Sequence, residues 1–192
     1  MSNDQYNFVK GLDTIYEFSK KEKNQLPPVD KWNPDFCGDI DIKIMKNGTW
    51  FYMGTEIKRP AMVKLFSNII RLDSDNFYYL VTPVEKVRIK VEDAPFVAIS
   101  LIKENNNNID NLYFVTNMQE KILLSKNNPI EIKINKKNDE PSPYVLVRKN
   151  LKALILRSVF YELIELASEG VIDGKKCLYL ESNREVFKIY EY

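Results

Sequence analysis

The chain has 192 residues, of which 44% are apolar, 29% charged and 12% aromatic, with a formal net charge of +1 and no histidine. Without histidine there is no His general acid–base pair, no Ser–His or Cys–His nucleophile and no His metal site. A near-neutral balance argues against binding to a phosphate backbone, so no nucleic-acid partner is expected.

The opening Met1-Ser2-Asn3-Asp4-Gln5 lacks the basic and apolar regions of a signal peptide. No apolar run approaches the length of about 18 residues needed for a membrane span. These features, with thiols that form no framework, lead to the expectation of a cytoplasmic protein with no membrane partner. Residues 4–22 place Phe8, Val9, Leu12, Ile15 and Tyr16 at helical spacing, and Pro27-Pro28 ends this arm. From Asp39 to Lys46 the pattern alternates, with Ile40, Ile42 and Ile44 on one face and Asp39, Asp41 and Lys43 on the other. Asn47-Gly48 then predicts a hairpin back through Thr49–Met53. Arg59-Pro60 opens a helix whose apolar stripe is Met62, Leu65, Phe66, Ile69 and Ile70. After a turn at Asp73–Asn76, strands are predicted over Phe77–Thr82 and Lys86–Val91.

The middle is β-rich: Phe96–Lys103, Asn111–Thr116, Glu120–Leu124 and Ile130–Ile134 read as strands. Asn105–Asn108 reads as a loop, and Lys136–Pro143 as a polar connector. Near the end, Tyr144–Val147 and Leu151–Leu156 read as a hairpin, although Leu151–Ser168 also fits one long helix. Arg157 precedes the stripe Phe160, Leu163, Ile164 and Ala167, with Gly170 as a cap, and strands at Leu178–Glu181 and Phe187–Tyr190 follow. Two segments thus share the order hairpin, Arg, helix, strand, strand. Setting Arg59 on Arg157 aligns Met62 with Phe160 and Leu65 with Leu163, which reads as an internal duplication. The expected fold is α+β, with two related β-rich repeats, each carrying one helix, and an N-terminal helical arm. Its divisions are 1–27, 28–93 and 94–192.

No GxGxxG, GxxxxGK[ST] or GxSxG pattern occurs, and Cys37 and Cys177 lie far apart with no zinc-type spacing. No catalytic residue, cofactor or metal site is therefore assigned, and the chain reads as a binding protein rather than an enzyme. Asp39 and Asp41, with Asp35 nearby, form the one acidic pair that suggests a metal-assisted hydrolase. More often such a pair is simply the wet face of a half-buried strand. Six arginines stand in a lysine-rich background, and a guanidinium fork suits carboxylate and phosphate as an ammonium does not. Arg59 and Arg157 each stand at a helix start, where free N–H groups favour an anion. Lys58, Thr82, Lys86 and Arg88 are local donors, and Tyr161 and Tyr79 offer stacking faces or simple core packing.

A wider set of motifs carries a family resemblance. It comprises Pro28-Val29-Asp30-Lys31-Trp32, Cys37-Gly38-Asp39-Ile40-Asp41, Gly48–Thr55, Arg59-Pro60-Ala61-Met62-Val63, Leu80–Lys86, Val91–Phe96, Ala153-Leu154-Ile155 and Arg157–Leu163. Together they resemble the bacterial family of domain of unknown function 1285, with departures at Glu56, where Pro is expected, and Asn76, where Gly is usual. The resemblance implies a duplicated α+β fold with a C-terminal half like pleckstrin-homology domains. It further implies a site for a nucleotide-like molecule between the repeats and a role in signalling. The expectation is a ligand-binding module for an anionic, nucleotide-like molecule, held by Arg59, Arg157, Lys58, Lys86, Arg88, Thr82 and Tyr161. The alternative is a protein-interaction or scaffold module with a protein partner and no small-molecule ligand.

Overall fold

The computed structural model describes residues 11–21, 25–134 and 140–192. Phe8 and Val9 of the expected arm helix, and residues 135–139 at the connector, lie outside the described residues. The chain divides into two compact units, Met1–Asp93 and Ala94–Tyr192. Among the described residues no helix is long and apolar enough to cross a membrane.

In the N-terminal unit, helix α1 (Leu12–Lys21) buries Leu12 and Ile15. Gly11 leads into it at φ +77°, where a Cβ would lie 3.0 Å from Val84 Cγ2 and 3.1 Å from Thr82 Oγ1. Only glycine lets the arm pass this close to the Thr82–Glu85 turn. Then come β1 (Phe36–Ile44), β2 (Trp50–Tyr52), β3 (Thr55–Glu56), α2 (Pro60–Asn68), β4 (Ile70–Leu72), β5 (Tyr78–Val81) and β6 (Lys86–Val91). They form one six-stranded sheet in the order β3-β2-β1-β6-β5-β4, antiparallel except at β1–β6. The alternation of β1 buries Ile42 and Ile44 completely. They share the core with Phe66 of α2 and with Trp50, whose rings stack at 6.1 Å between centroids.

The Asn47-Gly48 hairpin forms with a three-residue loop. Gly48 N–H donates to Met45 O at 2.8 Å and takes φ +83°, which places the glycine at the left-handed position of a bulged turn. Helix α2 is shorter than its apolar stripe. Ile69 closes it with a non-helical ψ of 12°, and Ile70 is already paired with Leu80 in β4. Sheet pairing of two β-branched residues overrides the helical periodicity here.

The C-terminal unit contains β7 (Phe96–Asn106), β8 (Ile109–Thr116), β9 (Lys121–Leu123), β10 (Ile130–Ile134), β11 (Pro141–Arg148) and β12 (Leu151–Ile155). Helix α3 (Arg157–Glu165) and strands β13 (Ser168–Ile172), β14 (Lys175–Ser182) and β15 (Glu185–Glu191) follow. The first six strands make a sheet in the order β10-β11-β12-β7-β8-β9, and the last three make a separate antiparallel meander. Leu151–Ile155 is thus a strand, which removes the single-helix reading. The asparagine loop is tighter than expected. Strands run up to Asn106 and Ile109, leaving Asn107 and Asn108 as a two-residue turn at φ +52° and +61°. Gly170 is not a helix cap. It lies inside β13, where a Cβ would meet Tyr179 Cε1 at 2.7 Å, so the glycine makes room for that ring. Pro141–Pro143, read as connector, begin β11.

The sheets correct the expected repeat alignment. Numbered from the start of each unit, both six-stranded sheets have the same strand order, and each has a single parallel pair, β1–β6 and β12–β7. The duplication visible in the sheets is β1–β6 with β7–β12. Helix α2 joins β3 to β4, whereas α3 follows β12, so Arg59 and Arg157 occupy different places in the two topologies. The local order of hairpin, helix and meander recurs because helix starts and apolar periods are short-range signals, and they do not specify which strands pair.

Candidate functional site

The parallel seam between β1 and β6 is irregular. Asp39 stands opposite Arg88 and Lys43 opposite Lys90, so Ile40, Asp41 and Ile42 face Ile89 alone. Extra residues on one strand bend it away from its partner, a feature that often re-aims side chains beside functional sites. A cleft of about 540 Å³ opens here, lined by residues that include Asp39, Ile40, Asn76, Phe77, Arg88 and Lys90.

Alternation along β6 puts Lys86, Arg88 and Lys90 on one face, opposite to the buried Val87 and Ile89. Tyr79 of β5 is the cross-strand partner of Arg88, and Arg71 of β4 is the partner of Tyr79. The row Asp39, Arg88, Tyr79, Arg71 therefore crosses four strands. At the cleft, Arg88 Nε donates to Asp39 Oδ1 at 2.8 Å and Nη2 to Oδ2 at 2.6 Å. The same guanidinium lies 4.7 Å from the ring centroid of Phe77 and 6.0 Å from that of Phe36. The hydrogen bond from Arg88 holds the Asp39 carboxyl below the usual range, against a smaller upward push from desolvation, and Arg88 and Lys90 add charge attraction. Arg88 is raised in return, chiefly by its hydrogen bond to Asp39. Both partners are partly exposed, so the pair contributes little stability and mainly orients the guanidinium.

The other half of the row is structural. Asp73 accepts from Arg71 and, at 3.1 Å, from Lys86 Nζ. Arg71 Nη1 also donates to the carbonyls of Val29 at 3.0 Å and Trp32 at 2.8 Å, which ties the segment before β1 to the sheet. Partial burial pushes the Asp73 carboxyl upward, and the bonds from Arg71 and Lys86 outweigh it, so the net direction is downward. Tyr79 OH donates to Asp75 Oδ2 at 2.6 Å, which pushes the phenol up to about 12.

The residues singled out in the sequence fall into separate groups. Lys86 and Arg88 share a strand face, yet only Arg88 lines the cleft. Lys86 faces Asp73 and the Tyr79 ring at 4.7 Å. Thr82 is fully buried, and its hydroxyl accepts from Glu85 N–H at 3.2 Å within its own turn. Lys58 and Arg59 are exposed ahead of α2, with Arg59 at the N-cap. In the C-terminal unit, Arg157 is the first residue of α3, and its Nε donates to Tyr161 OH at 2.8 Å. Among the described residues no group of three or more His, Cys, Asp or Glu is placed to hold a metal. Asp39, half of the acidic pair, is engaged by Arg88 instead. Phe77 and Lys90 escaped the sequence reading. The signal was present, because the alternation that buries Val87 and Ile89 necessarily turns Lys86, Arg88 and Lys90 to the other face.

Two family profiles match the chain. The N-terminal domain of domain of unknown function 1285 (DUF1285) covers residues 27–94, and the C-terminal domain of the same family covers residues 95–189. The chain belongs to the DUF1285 family. A crystal structure of a DUF1285 family protein from Silicibacter pomeroyi has 43% identity and a TM-score of 0.77, over 88% of this chain and 89% of that one. A second, from Shewanella baltica, has 28% identity and a TM-score of 0.50, over 66% of this chain and 91% of that one. No curated protein matches this chain. DUF1285 is by its description a family of unknown function, so any role for the cleft rests on the geometry above.

Proposed function

We propose that this DUF1285 protein is a binding module for a small anionic, nucleotide-like ligand, and that the cleft at the β1–β6 seam receives it. The observation that carries this reading is the clamp on Arg88. Asp39 takes the Nε and Nη2 edge, Phe77 supports the guanidinium face, and Nη1 with its two N–H groups lies outside the ion pair. A pre-oriented guanidinium binds an oxyanion without first losing side-chain freedom. Lys90 adds a second cation, and the half-exposed Phe77 ring adds a flat apolar face for a base. Apart from the cleft, exposed Arg59 with Lys58 in the N-terminal unit, and Arg157 with Tyr161 in the C-terminal unit, are proposed as further anion contacts, each within its own unit. With no histidine in the chain and Asp39 held by Arg88, the site suits binding without turnover, which is the behaviour of a sensing or signalling module. A pleckstrin-homology-like C-terminal half belongs to the same proposal.

The test is calorimetric titration of the wild type and Arg88→Gln with mononucleotides. Loss of a charge-assisted contact is expected to weaken binding by about tenfold or more. No heat from any nucleotide at millimolar concentration, or equal affinity in the two proteins, overturns the reading.

A protein-interaction role is favoured by a different observation. Val171, Val186, Tyr190 and Tyr192, on or just beyond the β13–β15 meander, are each more than half exposed. That reading predicts a protein partner whose association Val186→Asp abolishes while the fold is kept. Unchanged association in that variant overturns it.

A further inference from the structure

The charges that line the cleft are Arg88, Lys90 and Asp39, which leave a net charge of +1. The carboxylate is not a bystander on the rim. It sits on the guanidinium that a ligand anion must use, with oxygens 2.8 and 2.6 Å from Nε and Nη2. From these facts we infer that Asp39 is a specificity-determining residue that lowers the affinity of the cleft for phosphate dianions and polyphosphates more than for a singly charged group such as a phosphodiester. The inference rests on the ligand-binding reading above and deepens it.

Two charge states of one ligand feel Asp39 differently. A monoanion at Nη1 meets two cations and one carboxylate, and its single charge completes a neutral site. A second negative charge on the same group is attracted by Arg88 and Lys90 as the first is, but it is also repelled by Asp39 as the first is, so Asp39 costs a dianion about twice what it costs a monoanion. Repulsion between unit charges about 4 Å apart is about 1 kcal/mol in water and several-fold larger near a protein surface. The ratio of the two affinities is therefore expected to change by about fivefold to tenfold when Asp39 loses its charge, since each factor of ten corresponds to about 1.4 kcal/mol. Swinging Asp39 away does not relieve the repulsion without giving up both charge-assisted bonds to Arg88. Nor does protonation relieve the repulsion near neutral pH, because Arg88 keeps the carboxyl ionised.

The experiment compares three adenosine ligands that share a base and differ in charge: the 3′,5′-cyclic monophosphate, the 5′-monophosphate and the 5′-triphosphate. Each is titrated at pH 7.5 into wild type, Asp39→Asn and Arg88→Gln. Asp39→Asn removes the charge and keeps one oxygen acceptor for Arg88, the other being replaced by an amide NH2 that cannot accept. The affinities of the cyclic ester and the 5′-monophosphate for the wild type set a reference ratio. In Asp39→Asn that ratio is expected to shift by about fivefold to tenfold toward the 5′-monophosphate, and further toward the triphosphate, with little change in thermal stability. A purely structural Asp39 would shift all three affinities together and leave the ratio as it was. An unchanged ratio in Asp39→Asn overturns the inference and leaves the binding reading intact. No binding of any of the three to wild type at millimolar concentration overturns both.

Discussion

The two six-stranded sheets share one topology and differ at the same place. In the N-terminal sheet the parallel seam pairs Asp39 with Arg88, bulges over Ile40–Ile42 and opens a cleft. In the C-terminal sheet the equivalent seam pairs Ala153 with Phe96, Leu154 with Val97 and Ile155 with Ala98, in unbroken register. All six of those side chains are buried. Two of the three pairs set a large residue against alanine, which fills the space between strands without a void. One frame thus yields an open cleft or a packed core according to a few residues at its central pair. The candidate site proposed above accordingly lies at a seam and not at a helix start.

The comparison breaks most sharply in the C-terminal seam. Phe96 is fully buried beneath the Arg148 guanidinium, at 4.7 Å from its ring centroid. Phe96→Ala is expected to cost about 3–5 kcal/mol in urea denaturation. A loss below about 1 kcal/mol would mean that this seam is no better packed than the open one. Next in size is the Asp73 hub, which joins β4, β6 and the segment before β1 within the N-terminal unit. Arg71→Lys removes the fork that reaches Asp73, Val29 O and Trp32 O together, and a loss of about 2 kcal/mol is expected. An unchanged urea midpoint would show that the tether adds no stability.

Legibility in the sequence followed the range of each signal. Alternation in Asp39–Ile44 and Lys86–Val91, and the stripes of α2 and α3, depend on neighbours a few residues apart, and these elements form where the patterns place them, although both helices end before their stripes do. The family was legible from its motifs. The choice of seam partner was not, because β1 and β6 are joined across more than 40 residues and no local pattern states that Asp39 meets Arg88. The same lack of long-range information produced the alignment of Arg59 with Arg157, which matches helix starts and misses the sheets. Arg88 stood out in the sequence as a candidate by type, as a guanidinium among lysines. Its clamp, its cleft and its neighbour Phe77 needed the register.

A pH series sharpens the contrast between the Asp73 hub and the exposed seam pair. The folded-state pKa of Asp73 lies below its ordinary value of 3.8, so in the interval between the two the unfolded chain binds more protons. Its contribution is therefore complete above the ordinary value and is lost as pH falls through the lowered one. Melting temperature measured from pH 6 to pH 2 should fall less steeply in Asp73→Asn than in wild type. Parallel curves would show that the carboxylate contributes nothing through its ionised form.

The smallest expected effect lies at the turn that carries Phe77 into the cleft. Asn76 takes φ +63°, its N–H donates to Asp73 O at 3.0 Å, and Asp73 N–H donates to Phe77 O at 3.1 Å. Asparagine and glycine both tolerate this left-handed conformation, whereas a β-branched residue does not. Asn76→Gly is expected to change stability by less than about 0.5 kcal/mol, and Asn76→Val to cost about 1–2 kcal/mol. If the turn only supports the fold, ligand affinity follows neither substitution. If it sets the position of the Phe77 ring, Asn76→Val also weakens binding to the cleft, while Arg88→Gln weakens binding with no matching loss of stability. Measuring both quantities in both variants separates a backbone that positions the site from a side chain that binds in it.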